Sequence, residues 1–94
     1  MRIPKKNEVA WNVLDLALGK IDTDTWLNLT PTVNWGDLRR YIEALPLSTE
    51  QYGVCVNGLL NAEKYIAEKE YGAAAFEIRM LRRRLKAASY RLGW

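Results

Sequence analysis

The last quarter of the chain carries apolar residues on two opposite sides of one predicted helix. The first set repeats at alternating steps of three and four residues, which is the spacing of one continuous helical stripe. This inner stripe comprises Tyr71, Ala74, Ile78, Leu81, Leu85, Ala88 and Leu92. The spacing predicts a helix from about Tyr71 to Leu92 that turns the inner stripe towards the core.

A second set of apolar residues lies nearly opposite the first when successive residues are placed about 100° apart around the helix axis. This outer stripe comprises Ala73, Phe76, Met80, Ala87, Tyr90 and Trp94, and Arg83 interrupts it. A surface helix needs only one apolar face. Either the N-terminal segment covers the outer stripe with Trp11 or Trp26, or the stripe is a surface for a partner. The sequence leaves both interpretations open.

A longer helix is predicted before this one. Ser48 and Gln51 have the spacing of a capping box, and the helix that they begin runs to about Glu68. Its inner side carries Tyr52, Cys55, Val56, Leu59, Ala62 and Ile66. Gly53 and Gly58 lie inside it, where each costs about 1 kcal/mol relative to alanine, and we expect a closely approaching backbone to explain them.

A short amphipathic helix is predicted in the middle of the chain. Asn34 is a favourable N-cap residue, and Pro46 is a residue type that ends helices. Between them, apolar residues recur at helical steps of three, four and three. These residues are Trp35, Leu38, Ile42 and Leu45.

The N-terminal third of the chain is harder to interpret. Apolar residues at helical spacing predict a first helix with Asn7 as its cap and Gly19 as its end. The stretch 21–33 mixes apolar residues with four threonines. We expect a short separate helix over Thr23–Leu29, ended by Pro31, and a strand is the alternative.

These elements predict an all-α fold. We expect residues 1–94 to form a single domain of four to five helices. The two C-terminal helices, over about residues 48–68 and 71–92, should form a central antiparallel hairpin, because only a short turn separates them. No repeat or linker divides the chain.

The composition argues against an enzyme. The chain has no histidine and a single cysteine, so the commonest general base and the commonest metal ligand are missing. Cys55 has no histidine to activate it and falls on the predicted core side of its helix. Asp22 and Asp24 are better explained by helix capping than by metal binding, because no further ligands follow at calcium-loop spacing. We expect no catalytic residue, metal or cofactor.

The positive charge is concentrated in the last helix. Residues 1–47 hold six basic and six acidic residues, whereas residues 78–94 hold six basic and no acidic residues. The six are Arg79, Arg82, Arg83, Arg84, Lys86 and Arg91. They could be a solvated helix end, a site for an acidic protein surface, or a phosphate site in which Tyr90 and Trp94 stack on bases. The net charge of only +3 and the absence of a nucleic-acid-binding motif favour the acidic protein.

Two further features concern location. Glu8 and Asp15 interrupt any apolar core of a signal peptide, and no uncharged run approaches the ~20 residues of a membrane-spanning helix. A single cysteine favours a reducing compartment over a secreted, disulfide-stabilised fold. We expect a cytoplasmic protein.

Together, these observations predict a small protein-binding module, an adaptor or inhibitor. By analogy of type, phage-encoded inhibitors of host machines are proteins of this kind. The expected binding residues are those of the outer stripe and its basic flanks: Phe76, Met80, Arg83, Tyr90, Trp94, Arg79, Arg82, Arg84, Lys86 and Arg91. Homodimerisation through the same helix is a version of this hypothesis. The alternative is a nucleic-acid-binding protein, and a weaker one is attachment to a membrane surface.

Overall fold

The computed structural model describes the backbone of residues 5–91 and the side chains of residues 11–88. This part of the chain contains four helices and no strand. They are α1 (Lys5–Trp26), α2 (Trp35–Glu43), α3 (Thr49–Ala67) and α4 (Tyr71–Arg91). The predicted all-α class is confirmed, and the strand alternative for residues 21–33 is wrong.

Helix α1 extends further at both ends than the sequence predicts. It begins before Asn7 and continues through Gly19 without a break, so neither residue caps it. The continuation is stabilised because Ile21 and Thr25 extend the buried stripe of the preceding turns. The buried Thr25 hydroxyl donates a hydrogen bond of 2.9 Å to the Ile21 carbonyl, so this polar group is paired within its own helix.

The end of α1 is a Schellman motif built without glycine. Asn28 has a left-handed backbone with φ of 58°. Its N–H donates to the Thr25 carbonyl, and the Leu29 N–H donates to the Asp24 carbonyl. The separate helix predicted over Thr23–Leu29 is therefore wrong, because its first residues belong to α1.

The capping predictions for α2 and α3 are confirmed. The Asn34 side chain accepts a hydrogen bond from the Asp37 N–H at 3.1 Å. Ser48 and Gln51 form a reciprocal capping box, with bonds of 3.1 Å and 2.9 Å. These side chains satisfy N–H groups that have no partner within the helix, and so they set where each helix begins.

The two glycines of α3 are not explained by a close backbone. A methyl group at Gly53 would meet nothing within 4 Å, and one at Gly58 would meet only the side-chain ends of Arg84 and Glu77 at 3.9 Å. The sequence prediction of a closely approaching backbone is wrong at both positions. At Gly58 the missing side chain instead leaves room for two side chains of α4.

Helix α4 packs between α1 and α3, and α2 packs against both of these helices. The described part of the inner stripe, apart from the half-buried Tyr71, is buried, as predicted. The core that it joins includes Leu14, Leu18, Ile21, Leu38, Ile42, Cys55, Leu59, Ala62, Ala74, Ile78, Leu81 and Leu85. Since the inner stripe already fills this core, the outer stripe faces away from it. None of the described helices is long and apolar enough to cross a membrane.

Candidate protein-binding surface

The outer stripe of α4 is exposed at Phe76, its only aromatic residue among the described side chains. Phe76 keeps 61% of its surface in contact with solvent. Met80 is half-buried, and Ala87 is exposed. Tyr90 and Trp94, the other two aromatic residues predicted in this stripe, lie outside the described side chains. Arg83 lies between Met80 and Ala87 on the same side of the helix and is exposed.

Neither Trp11 nor Trp26 buries Phe76 of the outer stripe. Trp11 is half-buried and packs against the core. Trp26 is 66% exposed and lies beside α4, against Arg79. Of the two interpretations that the sequence left open, the exposed Phe76 ring excludes burial under either tryptophan.

The flank of α4 that faces α1 is held by ion pairs. The Arg79 Nε lies 3.2 Å from Asp22 Oδ1, and its guanidinium carbon lies 4.6 Å from the centroid of the Trp26 ring. The Arg82 Nε lies 3.2 Å from Asp15 Oδ1, and Arg82 Nη1 lies 3.8 Å from Asp22 Oδ2. Asp22, which is mostly buried, therefore contacts both arginines.

These contacts change the interpretation of the basic cluster. Arg79 and Arg82 were predicted to bind a partner, yet both join α4 to α1 within the chain. Gly19 contributes to this seam, because the Arg82 guanidinium lies about 3.6 Å from where a methyl group at Gly19 would be. No sequence signal identifies these pairs, since their members lie 57 and 67 residues apart.

The other described basic residues of the cluster are exposed but lie on different sides of α4, and Arg84 is on the flank that faces α3, beside Gly58. Arg83, Arg84 and Lys86 are exposed. Arg83 and Arg84 form no ion pair with any residue in the described ranges. The side chain of Arg91 lies outside those ranges. The cationic part of the candidate surface is thus the second half of α4, beyond Met80.

A cleft of about 370 Å³ lies between the start of α3 and the end of α4. Val54, Cys55, Arg84 and Ala87 are among the residues that line it. Burial raises the pKa of the Cys55 thiol, and the positive charge of Arg84 opposes this shift. A buried thiol with a raised pKa is a poor nucleophile at neutral pH. The prediction that Cys55 lies on the core side of its helix is confirmed.

Within residues 11–88, the structure offers no group of three acidic or cysteine side chains that could hold a metal ion. The buried polar side-chain atoms in this range all have hydrogen-bond partners, so none is left directed at a missing ligand. Asp22 has a different role from the predicted capping, because its carboxylate pairs with two arginines. The exposed groups on the outer face offer apolar contact and positive charge.

The chain was compared with protein-family models, curated protein sequences and solved structures, and none of them matches it.

Proposed function

We propose that this chain is a non-enzymatic protein-binding module, an adaptor or inhibitor, and that it docks through the outer face of α4. In this proposal α3 and α4 form an antiparallel hairpin that holds the surface rigid. The outer stripe supplies the apolar contact, and Arg83, Arg84 and Lys86 supply the positive charge. A cytoplasmic location agrees with the single unpaired cysteine.

The observation that carries the proposal is the exposure of Phe76. This ring lies on a helix whose opposite side is filled by Ile78, Leu81 and Leu85, each at most 1% exposed. Burying a large apolar side chain is worth about 1.5–3 kcal/mol. A partner that covers Phe76 and Met80 would gain this free energy, whereas folding of the chain itself leaves much of it unused.

The residue types on this face also favour protein binding. Aromatic residues, methionine and arginine are enriched at protein interfaces, and a few aromatic and arginine residues carry most of the binding energy. Phe76, Met80 and Arg83 lie on one side of α4 within about two turns, and Arg84 lies on the neighbouring flank that faces α3. A second copy of the chain is one partner that could use this face, as a homodimer.

Nucleic-acid binding through the arginine cluster is the second candidate. The engagement of Arg79 and Arg82 by aspartates of α1 leaves fewer cations for phosphate contacts. A salt titration separates the two hypotheses, because affinity that depends on several phosphate contacts falls steeply between low and moderate salt. Binding that changes little over this range would exclude the phosphate model.

Affinity capture from an extract of the native host, with and without nuclease, tests the proposal. Mass spectrometry should identify a protein that the wild-type chain retains after nuclease treatment. The variant carrying Phe76→Asp and Met80→Asp should lose this protein. Leu60→Asp is the matched control, because Leu60 is 51% exposed on a different helix, and it should retain the protein. Capture that is abolished by nuclease would support nucleic-acid binding instead.

A further inference from the structure

The residues that α4 exposes change in size and charge along its outer face. Phe76 is 61% exposed, Met80 is half-buried, and Arg83 and Ala87 are exposed. Steps of three or four residues separate them, so they follow one another along one side of the helix over about three turns. A large ring therefore lies at one end of the face, a small residue lies at the other end, and a cation lies between them.

The flank of α4 that faces α3 carries one residue of each charge. Glu77 Oε2 and Arg84 Nη1 each lie 3.9 Å from the position that a methyl group at Gly58 would take. The two side chains form no ion pair with each other or with another described residue. They are separated by two helical turns, which is about 10 Å along the axis. This flank therefore offers an acidic and a basic position, each open to an opposite charge.

We propose that the outer face receives a second copy of the chain, so that two α4 helices pack antiparallel about a two-fold axis near Met80. A two-fold axis makes every contact occur twice. In an antiparallel pair, a residue a few positions before the axis lies opposite a residue as many positions after it, and the α3 flanks of both copies lie on the same side. Glu77 of each copy then lies opposite Arg84 of the other. This inference rests on the function proposed above and names the partner.

The same arrangement brings a large residue against a small one and a cation against a ring. Phe76 of each copy lies opposite the space between Arg83 and Ala87 of the other. The small Ala87 leaves room for the ring, and the guanidinium of Arg83 is attracted to the face of an aromatic ring. Arg83 interrupts the apolar stripe in the sequence, and this pairing gives it a contact with Phe76 that a single copy does not offer.

A parallel pair of α4 helices fits less well. In a parallel two-fold pair each residue on the central line of the contact lies opposite its own copy. Arg83 would then face Arg83, and the repulsion between like charges opposes the association. Phe76 would face Phe76, and Ala87 would face Ala87, which leaves a gap at one end of the contact.

The flank of α4 that faces α1 also permits the antiparallel pair. The two-fold axis brings these flanks together, and each carries Arg79 and Arg82. Because Asp22 and Asp15 lie 3.2 Å from these arginines within the chain, each of the two cations is balanced by a carboxylate. Trp26, which is 66% exposed beside Arg79, adds apolar area to the contact.

A second copy is favoured over a partner of one charge. An acidic peptide or a phosphate backbone would place negative charge beside Glu77 as well as beside Arg84, whereas a second copy offers the opposite charge to both. The face spans about 11 residues of one helix, or roughly 16 Å. A contact of this length buries less than the roughly 800 Å² per copy of a standard interface, so the expected dimer is weak and reversible.

Sedimentation equilibrium of the full chain from about 1 µM to 500 µM tests the proposal, and we expect a reversible monomer–dimer equilibrium. Glu77→Arg and Arg84→Glu each place like charges opposite one another and should each weaken the dimer about fivefold. An equimolar mixture of the two variants should associate at least about tenfold more tightly than either alone, because their charges then match. A mixture that associates no better than its components would overturn the proposal.

The matched controls are Lys64→Glu and Glu68→Arg. They make the same charge changes at exposed positions of α3 and its C-terminal end. Each should dimerise within about twofold of the wild type, because neither residue lies on α4. An equal loss in these controls would show that net charge alone governs the association, and it would overturn the specific pairing.

Disulfide cross-linking tests the direction of the helices, with Cys55→Ala as the background so that the added thiols are the only ones. Met80→Cys should cross-link with itself at the axis. Phe76→Cys should cross-link with Ala87→Cys when the two variants are mixed, and only slowly with itself. Rapid cross-linking of Phe76→Cys with itself would identify a parallel pair and overturn the antiparallel one.

The remaining outcomes separate this proposal from the one on which it rests. A chain that stays monomeric, while capture of a host protein still depends on Phe76 and Met80, would overturn the second copy and leave the docking function standing. A dimer that Phe76→Asp with Met80→Asp does not weaken would place self-association elsewhere and overturn this proposal. A monomer that binds an oligonucleotide through Arg84 would identify nucleic acid as the occupant. Failure of both self-association and capture would count against both proposals.

Discussion

Arg79 of α4 lies over the indole ring of Trp26 of α1, with its guanidinium carbon 4.6 Å from the ring centroid. The same guanidinium is paired with Asp22, one turn earlier in α1. A cation placed over an aromatic ring is attracted to its face. The contact therefore fixes an exposed tryptophan beside α4 and makes the seam between α1 and α4 part of the candidate surface.

The seam should weaken when Asp22 loses its charge. Asp22→Asn leaves Arg79 and Arg82 without the carboxylate that contacts both of them. Because the aspartate is mostly buried and the arginines are partly exposed, we expect a loss of about 1 kcal/mol in the free energy of unfolding. Urea unfolding followed by circular dichroism measures it.

Asp24→Asn is the matched control for Asp22→Asn. Asp24 lies in the same helix and forms no ion pair among the described residues. Its replacement should change the free energy of unfolding by less than about 0.5 kcal/mol. Equal effects of the two substitutions would show that the seam contributes nothing through charge.

The turn between α3 and α4 contains a residue in an unfavourable backbone conformation. Lys69 has φ of 60°, a region that glycine adopts without a steric penalty. Lys69→Gly should therefore raise the free energy of unfolding by about 0.5–1 kcal/mol. The neighbouring Glu68 has an ordinary φ of −88°, so Glu68→Gly should not raise the free energy of unfolding. Thermal unfolding of both variants and the wild type, compared by their melting temperatures, measures the difference. A destabilised Lys69→Gly variant would contradict this account of the turn.

Cys55 should make stability depend on pH in alkaline solution. Burial raises the pKa of its thiol in the folded chain, whereas the unfolded thiol titrates near its ordinary value of about 8.5. Above that pH the unfolded state is favoured by ionisation, so the free energy of unfolding should fall as pH rises.

The variant Cys55→Ala isolates the contribution of the thiol. Its free energy of unfolding should fall less than that of the wild type between about pH 8 and pH 10. Urea unfolding at each pH supplies the comparison. Parallel pH dependence of the two proteins would mean that the thiol has the same pKa in both states.

The helices that could be predicted are those with local signals. Asn34 and Ser48 cap their helices through side chains only three residues from the N–H groups that they satisfy, so the sequence alone indicated both starts. Gly19 is a helix-ending residue type, yet α1 passes through it, because buried residues on either side of it continue one stripe into the core. Packing of α1 against the core therefore outweighs the tendency of glycine to end a helix.

The candidate site could be predicted only in part, because periodicity places residues of one helix but gives no information on contacts between helices. The periodicity of α4 separated the buried Leu81 from the exposed Phe76 correctly, since both follow from the geometry of one helix. The position of Trp26 could not be predicted, because it depends on how α1 packs against α4. The pairing of Arg79 and Arg82 with aspartates of α1 is likewise a long-range contact without a local signal.

The most direct measurement of the central claim compares folding and binding in one variant, Phe76→Asp with Met80→Asp. We expect its free energy of unfolding to lie within about 1 kcal/mol of the wild type, because Phe76 is exposed and Met80 is only half-buried. Its affinity for the captured partner should fall at least about tenfold. Loss of cooperative unfolding would mean that the outer stripe belongs to the core, and undiminished binding would mean that the partner docks elsewhere.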